Sequence, residues 1–295
     1  MESRVLRRQL PLLALLIATL ALPFRMMAEQ NPDWTRPFPP FRIAGNLYYV
    51  GSADLASYLI VTPQGLILIN SNLASSPALI RKSVEKLGFT FRDVKILLIS
   101  HAHWDHCAGS AEILKLTGAK YEVMDADVPV VESGGKADFH YGANPEDLYP
   151  PAHVDRVLHD GDTVALGGTV LTAHLTAGHT RGTTTWTLEE PLDGQMRHVV
   201  IVGSPNVNTG YKLVGNRAYP RIAADYEHEF QVLKALPCDI FLGAHGGYFG
   251  MKEKYARWKG GARDAFVDPA GYKAYVADRE HAFQAELRRQ SAAAH

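Results

Sequence analysis

The chain has 295 residues, 46% of them hydrophobic and 21% charged, and a formal net charge of -1. That balance excludes the basic footprint of a nucleic-acid-binding domain and the polybasic patch of a membrane-surface protein. Its 13 histidines stand against 2 cysteines, which points to metal ligation through imidazole rather than thiolate.

The N-terminus reads as a targeting segment. Arg4, Arg7 and Arg8 precede an apolar run from Leu10 to Leu22, broken only by Pro11 and Thr19. A membrane anchor would need ~20 apolar residues, so the run is read as a signal peptide over residues 1–28, cleaved near Ala28. The remainder, 29–295, is then a single exported domain, periplasmic or secreted, with no stable membrane anchor and expected to act as a monomer.

Asn31 to Pro40 is rich in Pro and aromatic residues and reads as an extended arm. Strands are predicted at Asn46–Val50, Ala56–Val61 and Leu66–Asn70, separated by Gly51, Pro63 and Gly65. Ser76-Pro77 opens a helix, with Ser as cap and Pro at its first position, and Gly88 ends it. Ile96–Ile99 reads as a buried strand, Gly109–Leu116 as a helix and Tyr121–Met124 as a strand. Ser133 to Pro151 is polar, Gly-rich and without periodicity, a candidate active-site loop. Further strands are expected at Thr163–Leu166, Thr169–Thr176, Thr183–Leu188, His198–Val202 and Ile240–Leu242, with helices at Ala223–Leu236 and Pro269–Gln290. This order suggests two α/β halves, with two sheets packed face to face and helices outside.

The strongest signal is His101-Ala102-His103-Trp104-Asp105-His106, directly after a predicted buried strand. Residues two apart in an extended segment point the same way, so His101 and His103 can grip one metal. Asp105 and His106 follow as the chain turns and can face a second. Two metals ~3.5–4 Å apart share a water that becomes hydroxide near neutral pH.

The cluster resembles the H-x-H-x-D-H motif of the metallo-β-lactamase superfamily, whose fold is an αββα sandwich of two mixed sheets with helices on the outer faces. Ala177-Gly178-His179-Thr180 and Leu242-Gly243-Ala244-His245-Gly246 are similar to that family's later metal segments. The resemblance implies two zinc ions per chain. His101, His103 and His179 would hold the first; Asp105, His106 and His245 would hold the second. Glyoxalase II, zinc phosphodiesterases and many lactonases of this fold carry a bridging aspartate at the strand end that here reads Ile201-Val202-Gly203-Ser204. The other β-lactamase subclasses place a cysteine there. Serine, with His106 in the second site, resembles subclass three of the class B β-lactamases. The likeness continues through Pro39–Ile43, Asn46–Gly51, Gly134–Tyr141, Asp160–Asp162 and Gly210–Leu213.

The resemblance implies zinc-dependent opening of the β-lactam ring of penicillins, cephalosporins and carbapenems by a metal-bound hydroxide, conferring resistance. Asp105 would be both ligand and catalytic residue, orienting the hydroxide. Ser204 and Asn206 would meet the substrate, Ser204 through the substrate carboxylate or a water, with a hydroxyl that merely caps the strand end as the alternative. Trp104, Tyr141 and Tyr211 would line an apolar groove, the two tyrosines being equally readable as core. Cys238 sits in a segment whose disulfide partner in relatives corresponds to Tyr272 here, and Cys107 reads as a small core residue, so both thiols are expected to be free. The rivals are another exported metallo-hydrolase of this fold, a lactonase or thioester hydrolase, and a zinc-binding scaffold without catalysis.

Overall fold

Leu66-Ile67-Leu68-Ile69 is apolar at every position because both faces of its strand are covered. Ile67 and Ile69 enter one apolar cluster with Trp186 and Leu188, while Leu66 and Leu68 enter another with Ile80, Val84 and Ile113. Such continuous runs mark a sheet sandwiched between layers. The computed structural model describes residues 31–294; the expected signal peptide, 1–28, lies outside them.

The first sheet holds seven strands in sequence order: β1 (Phe41–Ala44), β2 (Leu47–Tyr49), β3 (Tyr58–Thr62), β4 (Gly65–Ile69), β5 (Val94–Leu98), β6 (Lys120–Met124) and β7 (Arg156–Leu158). The second holds five: β8 (Thr163–Leu166), β9 (Thr169–Leu175), β10 (Thr184–Leu192), β11 (Gln195–Val202) and β12 (Ile240–Gly243), in the order β12-β11-β10-β9-β8. Both are mixed, β4 to β7 and the β11–β12 pair being parallel and the rest antiparallel. The helices are α1 (Pro77–Lys86), α2 (Trp104–Cys107), α3 (Ser110–Thr117), α4 (Val128–Glu132), α5 (Ile222–Ala235), α6 (Met251–Lys259) and α7 (Pro269–Ala293). Side chains of α1, α3 and α4 cover the outer face of the first sheet. On the outer face of the second, the Phe241 ring packs 5.4 Å from both Tyr272 and Tyr275 of α7. This is the expected αββα sandwich.

The helix at Pro77 forms as expected, but the Ser76 side chain makes no cap hydrogen bond. Ser76 is itself helical in φ and ψ, and its carbonyl accepts the first helical bond from Ile80. The expected arm is not uniformly extended, since Pro32–Trp34 forms a 3-10 turn. Strands β1 and β7 and helix α6 have no counterpart among the sequence expectations.

Two bonds join the sheets behind the histidine segment. Trp186 Nε1 donates to the Ile99 carbonyl at 3.0 Å, and the Thr184 amide to the Ser100 carbonyl at 2.7 Å. The C-terminal ends of β5, β9, β11 and β12 therefore open onto one edge of the sandwich, and each leads into a segment of the site. Among the described residues no helix is long and apolar enough to cross a membrane.

Candidate metal centre

Past the end of β5 the chain bends through His101-Ala102-His103, with His103 itself extended at φ -82° and ψ 150°, and helix α2 begins at Trp104. The turn into α2 swings Asp105 and His106 beside the two histidines. The loop after β4 braces this turn: the amides of Ser71 and Asn72 both donate to the His106 carbonyl at 3.1 Å, and the Gly109 amide donates to the Asn72 carbonyl at 3.0 Å. Asn70 and Asn72 sit at φ 66° and 56°, the left-handed region that asparagine tolerates better than other side chains. Their side chains hold them there. Asn70 Oδ1 accepts from the Ser100 amide at 2.7 Å, and Asn72 Nδ2 donates to Ser57 Oγ at 2.9 Å. A Cβ at Gly109 would lie 2.6 Å from the Ser71 carbonyl, so the approach of these two loops requires glycine.

Asp127 ties the first histidine segment to the next. Its carboxylate accepts from the Ala102 amide at 2.8 Å, the Thr180 hydroxyl at 2.8 Å and the Gly182 amide at 2.9 Å. One side chain thereby sets His101 and His103 against His179.

The donor atoms gather in two groups. His103 Nδ1 lies 3.1 Å from His179 Nε2, and one nitrogen of His101 lies within 4.8 Å of both rings' donor atoms. His101 Nε2 is buried with no hydrogen-bond partner. In the second group His106 Nε2 and His245 Nε2 are 3.1 Å apart, and Asp105 Oδ2 is 3.2 Å from the first and 3.5 Å from the second. Ligands at ~2.0–2.1 Å in a tetrahedral zinc site stand about 3.3–3.4 Å apart, so these spacings are those of atoms that share a cation. The orphaned His101 nitrogen would otherwise be a buried polar group without a partner. The residues present fit two zinc ions.

The outer ring nitrogens are mostly anchored, as ligating imidazoles require. His179 Nδ1 meets the Asn206 carbonyl at 2.7 Å, and His245 Nδ1 meets Asp54 Oδ2 at 3.0 Å. Asp54 is itself held by Trp34 Nε1 and the Gly247 amide, each at 3.0 Å. His103 Nε2 lies 3.4 Å from the Tyr211 hydroxyl and 3.6 Å from Asp138 Oδ2. His106 Nδ1 has no partner among the described residues.

Burial holds His101 and His179 well below the usual imidazole range, which favours the neutral form that binds metal. Burial acts on His245 in the same direction, but Asp105 and Asp54 outweigh it and carry that ring up to about 9. Burial would raise Asp105, yet His106 and His245 keep it well below the usual carboxylate range. The carboxylate at the centre is therefore ionised.

The metal groups floor a cleft of about 480 Å³. Of the expected substrate-contacting residues, Trp104, Tyr141 and Asn206 line it. Tyr211 and Ser204 do not: Tyr211 is buried, donating to the His179 carbonyl at 2.8 Å, and Ser204 is fully buried with its hydroxyl 3.0 Å from that of Tyr248. Ser204 therefore does not face the cleft, whereas its hydrogen-bond neighbour Tyr248 does. The Ser133–Pro151 loop does reach the site. It supplies Tyr141 and Asp147 to the wall, and Tyr149 donates to the Ala102 carbonyl at 2.7 Å. Cys107 stands in the apolar cluster beneath α1 and α3, outside both donor groups, and neither cysteine is in a disulfide.

Sequence reasoning missed Trp34, Asp54, Asp127, Asp138, Asn208 and Tyr248. Trp34 and Asp138 lie inside stretches singled out for their composition, so a weak signal existed. The others are lone polar or aromatic residues in loops or, for Asp127 and Tyr248, in short 3-10 turns, with no spacing to mark them.

Paired donor triads at the open edge of an αββα sandwich define a metal-dependent hydrolase. A family model described as the metallo-beta-lactamase superfamily matches residues 55–191. The native FEZ-1 metallo-beta-lactamase from Legionella gormanii is 57% identical, with a TM-score of 0.86, over 87% of this chain and 98% of that one. The subclass B3 enzyme BJP-1 of Bradyrhizobium japonicum is 38% identical, with a TM-score of 0.84, over 90% and 99%. The class B3 di-zinc enzyme LRA-12 from an Alaskan soil metagenome is 37% identical, with a TM-score of 0.83, over 86% and 96%. The chain spans about a third of the length of curated metallo-hydrolases it matches in sequence, 37% of one and 32% of another. The chain belongs to the metallo-β-lactamases, in subclass B3.

Proposed function

We propose that this protein is an exported, dinuclear zinc hydrolase that opens the β-lactam ring of antibiotics and so protects its host from them. The observation that carries the proposal is the pairing of two complete donor groups with Ser204 at the strand end after β11. A carboxylate there would bridge the two sites; here that position is a serine buried against Tyr248, and His101 is the side chain that offers a nitrogen within 4.8 Å of donors in both groups.

His101, His103 and His179 would hold one zinc, and Asp105, His106 and His245 the other. Bound zinc supplies Lewis acidity, lowering the pKa of water towards neutrality and polarising the substrate carbonyl. The rest falls to the chain. Asp105 lines the cleft, is ionised, and has an oxygen to accept a proton of the attacking water, which orients that water. The edge-to-face pair Trp34–Trp104, with ring centroids 5.5 Å apart, forms an apolar wall. Asn206 and Asn208 offer amide groups on the cleft rim, Asn208 Nδ2 donating to the Tyr141 hydroxyl at 3.0 Å. Ser204 is not a nucleophile in this scheme. A serine needs an adjacent general base, and its neighbour is the Tyr248 hydroxyl, which burial pushes above its ordinary range. Export to the periplasm or medium follows from the Leu10–Leu22 segment.

Mass spectrometry after mixing with a cephalosporin tests the reading. Ring-opened product without any adduct on the protein, and no product after chelation, is expected. A stable acyl group on Ser204 would sink the mechanism.

A further inference from the structure

The proposed substrates all carry a carboxylate on the ring fused to the β-lactam. Yet no lysine or arginine lines the cleft, and three of its lining residues, Asp54, Asp105 and Asp147, are acidic. Side-chain recognition of that carboxylate therefore falls to neutral donors fixed on the cleft wall.

Asn206 is the wall residue whose amide could serve, provided its nitrogen and not its oxygen is presented. An asparagine amide can flip, and its orientation is set by its partners. Here Asn206 Nδ2 donates to the Tyr248 hydroxyl at 2.8 Å, and Asn206 Oδ1 accepts from Arg279 Nη1 at 3.2 Å. Tyr248 alone cannot fix the orientation, because a hydroxyl can donate or accept. A guanidinium can only donate, so it can only face the oxygen. Arg279 projects from α7, and Asp278 clamps the opposite edge of its guanidinium, with Nε 3.0 Å from Asp278 Oδ2. That pairing is exposed and screened, and it leaves Nη1 turned towards Asn206. Asn206 cannot drift either, since its carbonyl accepts from the Tyr226 hydroxyl at 2.7 Å and faces His179 Nδ1 at 2.7 Å.

We propose that Arg279 is a positioning residue for substrate specificity: it locks the Asn206 amide with its nitrogen towards the cleft, where the second N–H of Asn206 meets the substrate carboxylate. Removing Arg279 frees the amide to flip, which puts an acceptor against an anion, and removes the positive charge behind Asn206. This inference rests on the β-lactamase reading.

The test uses zinc-loaded protein and two substrates, a cephalosporin with a free carboxylate and the methyl ester of the same compound. Wild-type turnover of the free acid checks the parent reading on its own, and its absence would defeat that reading whatever the variants do. Given turnover, R279A is expected to raise KM for the acid about tenfold, with kcat changed less than twofold, and to leave the ester unaffected. R279K, which restores a donor and a charge, should recover most of the loss. Zinc content and melting temperature of both variants should match the wild type. An R279A variant that treats acid and ester as the wild type does, or that loses both equally, would overturn the proposal.

Discussion

Asp54 does for His245 what no residue of the histidine cluster can do for itself. It accepts at the outer nitrogen, 3.0 Å away, and is braced by Trp34 and Gly247. Asp54→Ala should therefore lower the affinity of the second zinc by about 10–100-fold while the first stays bound, as chelator competition would reveal. Equal loss of both metals would show that Asp54 acts on the whole fold. His179→Ala and His245→Ala each remove a donor from one group, and each is expected to abolish most hydrolysis; near-normal turnover by the His245 variant would mean that the second site is not needed. The dense motif from His101 to His106 was legible because four ligand-type side chains in six residues have no other economical use. Asp54 and Asp127 were not. Asp54 is a single acid in a loop and Asp127 closes a 3-10 turn, and only the fold brings the one to the back of an imidazole and the other to the amide of Ala102.

At the scale of elements, the junction of the β4 loop with α2 and α3 positions Asp105 and His106. Gly109→Ala places a methyl group 2.6 Å from the Ser71 carbonyl and should destabilise the protein by about 1–3 kcal/mol. Because the displaced loop carries the bonds to the His106 carbonyl, zinc affinity at the second site should fall with it. An unchanged melting temperature and metal affinity would contradict this bracing. The same scale explains which elements the sequence announced. Strands β3 to β5 are buried on both faces and read as apolar runs, and α3 ends at the left-handed Gly118, φ 68°. Strand β7 has three residues, two of them exposed, and so carries no alternation. Helix α6 buries only Met251 and Lys254, too little for an apolar stripe to emerge. At Ser76 the residue type was right for a cap, but a proline at the first position already sets the helix entry, and the hydroxyl forms no bond there.

Across the whole molecule, the two sheets are stapled at Glu190, near the β1–β2 turn. Glu190 is 1% exposed, its Oε2 accepts from the Asn46 amide at 2.9 Å, and its Oε1 has no partner. Burial raises it to about 7, against the smaller opposing effects of that hydrogen bond and of Arg42. A carboxyl raised in the folded state stabilises the fold in its protonated form. Its contribution is present below the unfolded pKa of about 4.3 and is lost as pH rises through 7. Glu190→Gln should remove that slope, leaving the variant more stable than the wild type at pH 8 by on the order of 2 kcal/mol, with little difference at pH 4. Parallel stability curves for the two proteins would refute the assignment. The cysteines test the fold at the same scale. Cys107 and Cys238 are unpaired, so thiol titration of the unfolded, unreduced protein should count both, and a count of zero would require segments to lie elsewhere.

The central claim joins metal to chemistry, and a single titration addresses it. Metal-free protein is supplied with zinc in steps while ring opening of a carbapenem is followed by its absorbance, with elemental analysis at each step. Activity should be absent without zinc, rise as zinc is added, level off at about two ions per chain as the two donor groups fill, and vanish again with chelator. Protein that holds two zinc ions per chain and opens neither a carbapenem nor a cephalosporin would contradict the account.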